Sequence, residues 1–124
     1  MALPKVRKDL EHHEQVTFIQ WCRLQAKKYP ELNLMFAIPN GGQRAATTAA
    51  KLKREGVLAG VPDLHLPVSR GGHHSLFIEM KVGKNKPTKH QELMMQRLNE
   101  AGNLFVVCYS AKEAIDATTH YLNS

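Results

Sequence analysis

Three ionisable residues in one half of the chain have the types and spacing for hydrolytic chemistry: Asp63 in Gly60-Val61-Pro62-Asp63-Leu64-His65-Leu66, then Glu79 and Lys81 in Leu76-Phe77-Ile78-Glu79-Met80-Lys81. Two carboxylates suit a hard divalent cation such as Mg²⁺, which binds one or two of them and fills its octahedron with waters and phosphate oxygens. Such a cation lowers the pKa of a bound water and neutralises charge building on a phosphoryl centre. A lysine alongside can orient the attacking water or stabilise the developing negative charge. Taken alone, Glu-x-Lys is an ordinary charge alternation on a surface strand, so the reading depends on what surrounds it.

The elements that must position these residues are two strands. Leu64, Leu66 and Val68 alternate, and Leu76 to Val82 is mostly apolar with charges at period two. Ser69-Arg70-Gly71-Gly72 is a turn signal, which makes the pair a hairpin. Side chains along a strand point to alternate faces, so Glu79 and Lys81 share one face while Ile78 and Met80 share the other. Asp63 opens the neighbouring strand. His65 falls on the Asp63 face and is expected to line the same cleft.

The rest of the chain reads as alternating helices and strands. Asp9 is a candidate N-cap for a helix from Leu10 to about Lys28, with Phe18, Ile19, Cys22 and Ala26 as its apolar stripe. Residues 1–9 are expected to be loose, and 10–124 to form one domain. Glu14 and Gln15 lie on or beside the helix's inner stripe, where polar groups need partners. Glu14 is either a first-turn acid favoured by the helix dipole or a residue leaning over the sheet toward the cation. Tyr29-Pro30 ends the helix, and Leu32 to Ile38 reads as a strand.

Pro39-Asn40-Gly41-Gly42-Gln43-Arg44 follows. Its glycines allow close backbone approach to a ligand, and Asn40 and Arg44 can bond phosphate; a plain tight turn is the simpler alternative. A short helix capped by Thr47 or Thr48 runs through Arg54 and closes at Gly56, carrying Lys51 on a basic face. Lys84 and Lys86 sit in a basic loop after the hairpin. Thr88-x-x-Gln91 is a capping box for a helix to about Ala101, with Met94 and Met95 filling core. Gln91 is explained by capping alone, or its amide reaches a metal-bound water or a phosphate. Phe105 to Tyr109 is a buried-type strand, parallel to the Glu-x-Lys strand because a helix connects them. Ser110-x-x-Glu113 opens the last helix, to about Tyr121. The order is helix, strand, helix, strand, strand, helix, strand, helix: an α/β domain around a mixed central sheet.

Composition narrows the partner. The 124 residues carry a formal charge of +6, which points to a polyanion, most simply nucleic acid. Aromatic residues make up 6%, too few for a single-strand stacking platform. No apolar run approaches the ~20 residues of a membrane span, and the N-terminus lacks the apolar stretch of a signal peptide. Cys22 and Cys108 have no metal-type spacing and read as reduced core thiols of a cytosolic protein. The adjacent pairs His12-His13 and His73-His74 lack the helical spacing of a zinc site.

Together, Ala37-Ile38-Pro39-Asn40-Gly41-Gly42, Gly60-Val61-Pro62-Asp63-Leu64 and Ile78-Glu79-Met80-Lys81, with Glu14-Gln15 before and Gln91 after, resemble the PD-(D/E)xK nuclease superfamily. More narrowly, the chain is similar to a stand-alone VRR-NUC domain of phage or bacterial type over about residues 10–122. The resemblance implies a restriction-endonuclease-like core and a Mg²⁺- or Mn²⁺-dependent DNA endonuclease. It assigns Asp63, Glu79 and the Met80 carbonyl to the metal and Lys81 to the water. Gln91 assists, and Glu14 (or Glu11) supports the metal. Asn40, Gly41, Gly42, Arg44, Lys51, Lys84 and Lys86 are the expected DNA contacts. It further implies a homodimer acting on branched DNA such as four-way junctions, in a bacterial or phage-infected cytosol, with a role in DNA repair. Two other expectations compete: a non-catalytic DNA-binding domain on the same scaffold, and a sequence-specific restriction-type nuclease.

Overall fold

A computed structural model describes residues 4–39 and 46–124, with Pro4 and Ala46 described by their backbone alone. The order is α1 (Pro4–Gln25), a 3-10 turn (Pro30–Leu34), β1 (Phe36–Ala37), α2 (Ala46–Arg54), β2 (Leu64–Leu66), β3 (Leu76–Met80), α3 (Lys89–Glu100), β4 (Leu104–Cys108) and α4 (Ala111–Leu122). The strands lie in sequence order as one mixed sheet. β1 and β2 are antiparallel, β2 and β3 form the expected hairpin, and β4 runs parallel to β3 with Glu79 opposite Val107.

The hairpin closes through Arg70 and His73, which exchange both backbone hydrogen bonds around Gly71-Gly72. Both glycines have positive φ, as a type I′ turn requires. One face of the sheet supplies Leu64, Leu66, Leu76, Ile78, Met80 and Cys108 to the core. α1 covers it with Phe18 and Cys22, and α4 with Ala114 and Tyr121. Burial pushes both free thiols up to about 12, so Cys22 and Cys108 are inert core residues. α3 packs beside β4 and begins with the expected capping box between Thr88 and Gln91. None of its residues is fully buried, so Met94 and Met95 are half-buried rather than core filling. The Ser110 side chain caps α4 by accepting from the Glu113 N–H, while Glu113 reaches back to the Tyr109 N–H.

Three elements differ from the sequence reading: α2 already begins at Ala46, so Thr47 and Thr48 lie inside the helix rather than capping it, and two others depart further. α1 starts at Pro4, so residues 4–9 are helical rather than loose and Asp9 lies inside the helix, not at its cap. Proline at a first helical position sacrifices no hydrogen bond, because that N–H has no partner within the helix anyway. The expected strand from Leu32 to Ile38 is reduced to Phe36–Ala37. Leu32 and Met35, both fully buried, are three residues apart, which favours a 3-10 turn. Arg23 fixes that turn by donating to the carbonyls of Leu32 and Met35, at 2.8 and 2.7 Å.

Candidate active site

Asp63, Glu79 and Lys81 meet on the sheet face opposite the main core. Asp63 precedes β2, and its Oδ2 accepts the Met80 N–H at 2.8 Å, which ties it to the backbone next to Glu79. Glu79 is buried, with its Oε2 3.6 Å from the Lys81 ammonium. Lys81 lies just beyond β3, but its N–H donates to the Cys108 carbonyl and so continues the ladder. Its side chain is 8% exposed, an unusual position for a lysine without a paired acid.

Gln91 joins from α3, where it makes the expected capping box and also turns its amide to the Glu79 carboxylate. Its Oε1 accepts from the Thr88 N–H at 2.8 Å, and its Nε2 donates to Glu79 Oε2 at 2.9 Å. Gly60 permits this approach: its φ is +80°, and a Cβ there would lie 2.3 Å from the His90 carbonyl oxygen. The Pro62-Asp63 segment can therefore lie against the first turn of α3 only with glycine at position 60.

The electrostatics are those of a site prepared for a cation. Burial raises the Glu79 carboxyl to about 8, the neighbouring Asp63 charge pushes the same way, and Lys81 opposes them. Burial also raises Asp63, against the Met80 N–H and the Lys81 charge. Glu79 Oε1 is buried with no hydrogen-bond partner. Native structures rarely leave a buried carboxylate oxygen unpaired; a proton shared with the adjacent Asp63 carboxyl satisfies it while Glu79 is protonated, and a cation would satisfy it once both carboxylates are ionised.

A model of the VRR-NUC domain family matches residues 3–112. The chain belongs to the VRR-NUC domain family. A solved structure described as a VRR_NUC domain protein is 30% identical, with a TM-score of 0.79, covering 91% of this chain and 88% of that one. No curated protein matches. Membership makes this a nuclease-type domain of the PD-(D/E)xK superfamily, and the mixed sheet flanked by helices agrees with it.

The VRR-NUC site fits a hard divalent ion by donor chemistry. It offers two carboxylates with one orphaned oxygen, and no cluster of three or more His, Cys, Asp or Glu occurs among the described residues. Two carboxylates without His or Cys partners suit Mg²⁺ or Mn²⁺, which fill their shell with water and phosphate oxygens, better than a zinc cage.

Other expected residues lie elsewhere. Glu14 Oε1 accepts the Ala111 N–H at 2.9 Å, which locks α1 to the start of α4. Glu11 Oε1 accepts from the Asn85 side chain at 3.2 Å. His65 is stacked on Phe77, ring centroids 4.0 Å apart, and its Nε2 bonds Ser75 Oγ at 3.0 Å. It sits one strand pair from Glu79, and burial lowers its pKa. Lys51, Lys84 and Lys86 are exposed. Asn40, Gly41, Gly42 and Arg44 lie outside the described residues. Arg7, assigned by the sequence to a loose segment, lies on α1. Its spacing to Glu11 and Glu14, one and two helical turns on, was the available signal.

Proposed function

We propose that this domain is a Mg²⁺- or Mn²⁺-dependent DNA endonuclease selective for branched substrates such as four-way junctions, acting as a homodimer. The observation that supports it most is the orphaned Glu79 oxygen beside Asp63 and Lys81, in a domain of a nuclease family. Asp63, Glu79 and the Met80 carbonyl hold the ion, which when bound supplies charge neutralisation and a more acidic water. Lys81 positions the attacking water and opposes negative charge growing on the phosphate. Gln91 fixes the Glu79 carboxylate through its Nε2, leaving Oε1 for the ion. Glu14, bonded to the Ala111 N–H and part of no three-carboxylate cluster with Asp63 and Glu79, fixes α1 against α4 rather than holding the ion.

Asn40, Gly41, Gly42, Arg44, Lys51, Lys84 and Lys86 contact the DNA backbone. A two-fold dimer presents two equivalent sites, as symmetric cutting of a junction requires. A role in DNA repair and a cytosolic setting follow from that substrate; no described helix is long and apolar enough to cross a membrane. The test is a panel of junction, flap, plain duplex and plasmid DNA, each with Mg²⁺, Mn²⁺ or chelator. The reading expects cutting near branch points, only with metal. Discrete bands from plasmid would favour a restriction-type enzyme, and binding without product in any metal a non-catalytic domain.

A further inference from the structure

A concavity lies where the chain leaves β3 just beyond Lys81. It has a volume of about 520 Å³ and lies between the first turns of α1 and the loop after β3. That is within the roughly 300–1,000 Å³ of pockets that take small organic ligands. One wall is apolar, made by Leu10 and Val82, with Gly83 beside them. Arg7, Lys84 and Lys86 also line it, and none of these three forms an ion pair among the described residues. The cavity is built rather than incidental. Asn85 Nδ2 donates to Glu11 Oε1, which pins the loop to α1, and the Asn85 N–H closes a turn onto the Val82 carbonyl. Val82 and Gly83 follow Lys81 directly, so this wall begins within about two Cα steps of 3.8 Å from the catalytic lysine.

An apolar wall with three unpaired cations is complementary to a nucleotide, which is a flat apolar base carrying phosphate. We propose that this cavity seats one unpaired nucleotide of the DNA strand beside the scissile phosphate, its base against Leu10 and Val82 and its phosphates on Arg7, Lys84 and Lys86. The inference rests on the nuclease reading above and adds a source of substrate selectivity. A base in a duplex cannot enter a concave pocket without leaving its stack. Unstacking costs a few kcal/mol, least where the base is already unpaired, as at a branch point. The cavity therefore favours branched over plain duplex DNA without reading sequence.

The test places 2-aminopurine, which brightens when unstacked, at each position around the branch of a flap DNA and titrates the full chain in chelator. The parent should raise fluorescence at a single position next to the branch. Leu10→Glu puts a carboxylate on the apolar wall at a residue 47% exposed and, with the parent's circular dichroism and urea midpoint retained, should abolish the rise. Leu24→Ala, on an exposed part of α1 away from the cavity, should keep it. Arg7→Ala, Lys84→Ala and Lys86→Ala should each lower the slope of log affinity against log salt by about 0.9. An unchanged rise in Leu10→Glu, or saturable binding with no rise at any position, overturns the proposal. The readout needs no cleavage: cutting without a rise removes only the cavity's role, whereas a rise without cutting in any metal removes only the nuclease reading.

Discussion

The two faces of β3 are built from alternate residues of one strand and are equally buried, yet they do opposite things. Ile78 and Met80 point into the apolar core covered by α1 and α4, where Thr118 of α4 is a buried polar exception. Glu79 and Lys81 are 3% and 6% exposed, and Glu79 retains an oxygen that no N–H reaches. The first face lowers the free energy of the fold; the second raises it, since a buried carboxylate without full pairing is unfavourable. A strand need not spend every buried position on stability. The lesson is that the apolar face, with α1 and α4 behind it, is what allows the polar face to be held strained and ready.

That contrast can be broken in order of effect. Asp63→Asn and Glu79→Gln should each reduce cleavage of branched DNA by about 10³-fold, and Lys81→Met by about 10²- to 10³-fold, with circular dichroism unchanged. Gel assays that find all three as active as the parent would remove the site from this face. Ile78→Ala, on the other face, should cost about 2–5 kcal/mol in urea unfolding and leave cutting per folded molecule intact.

The third prediction concerns pH. Burial raises the Glu79 carboxyl from 4.5 to about 8, so the folded state binds a proton more tightly than the unfolded state. Its contribution is then fully present below about pH 4.5 and lost as pH rises through about 8. Metal-free protein should lose a few kcal/mol of stability across that window. Glu79→Gln should flatten the profile and be more stable than the parent at pH 8, although inactive. A parent with no such loss would show that Glu79 is not held protonated.

The smallest effects separate the two bonds of Gln91. Gln91→Glu keeps an acceptor for the Thr88 N–H but loses the donor to Glu79, and should slow cleavage by about 10-fold. Thr88→Ala removes a cap worth about 1 kcal/mol and should leave the rate alone.

Much of this was legible in the sequence because it is local. Alternation in Leu76–Met80, the Gly71-Gly72 turn and the Thr88-Gln91 box are short-range patterns, and each produced its element. The same hairpin reading set Asp63 beside Glu79 across 16 residues, and the family motif agreed with it. What was not legible depended on tertiary partners. The turn at Leu32–Met35 is held by Arg23 from another helix, and Glu14 answers an N–H 97 residues away. The start of α1 was misplaced because Asp9 offered a plausible cap, whereas Pro4 opens the helix without a capping side chain.

The central claim is that Asp63 and Glu79 form one receptor for a divalent ion. Calorimetric titration of Mn²⁺ into metal-free protein at pH 7, repeated in two buffers of different ionisation enthalpy, tests it without DNA. The account predicts saturable binding with proton release, because the ion displaces the proton on Glu79, and loss of both binding and release in Asp63→Asn and Glu79→Gln. Binding that is undiminished in either variant, or no binding by the parent, would contradict it.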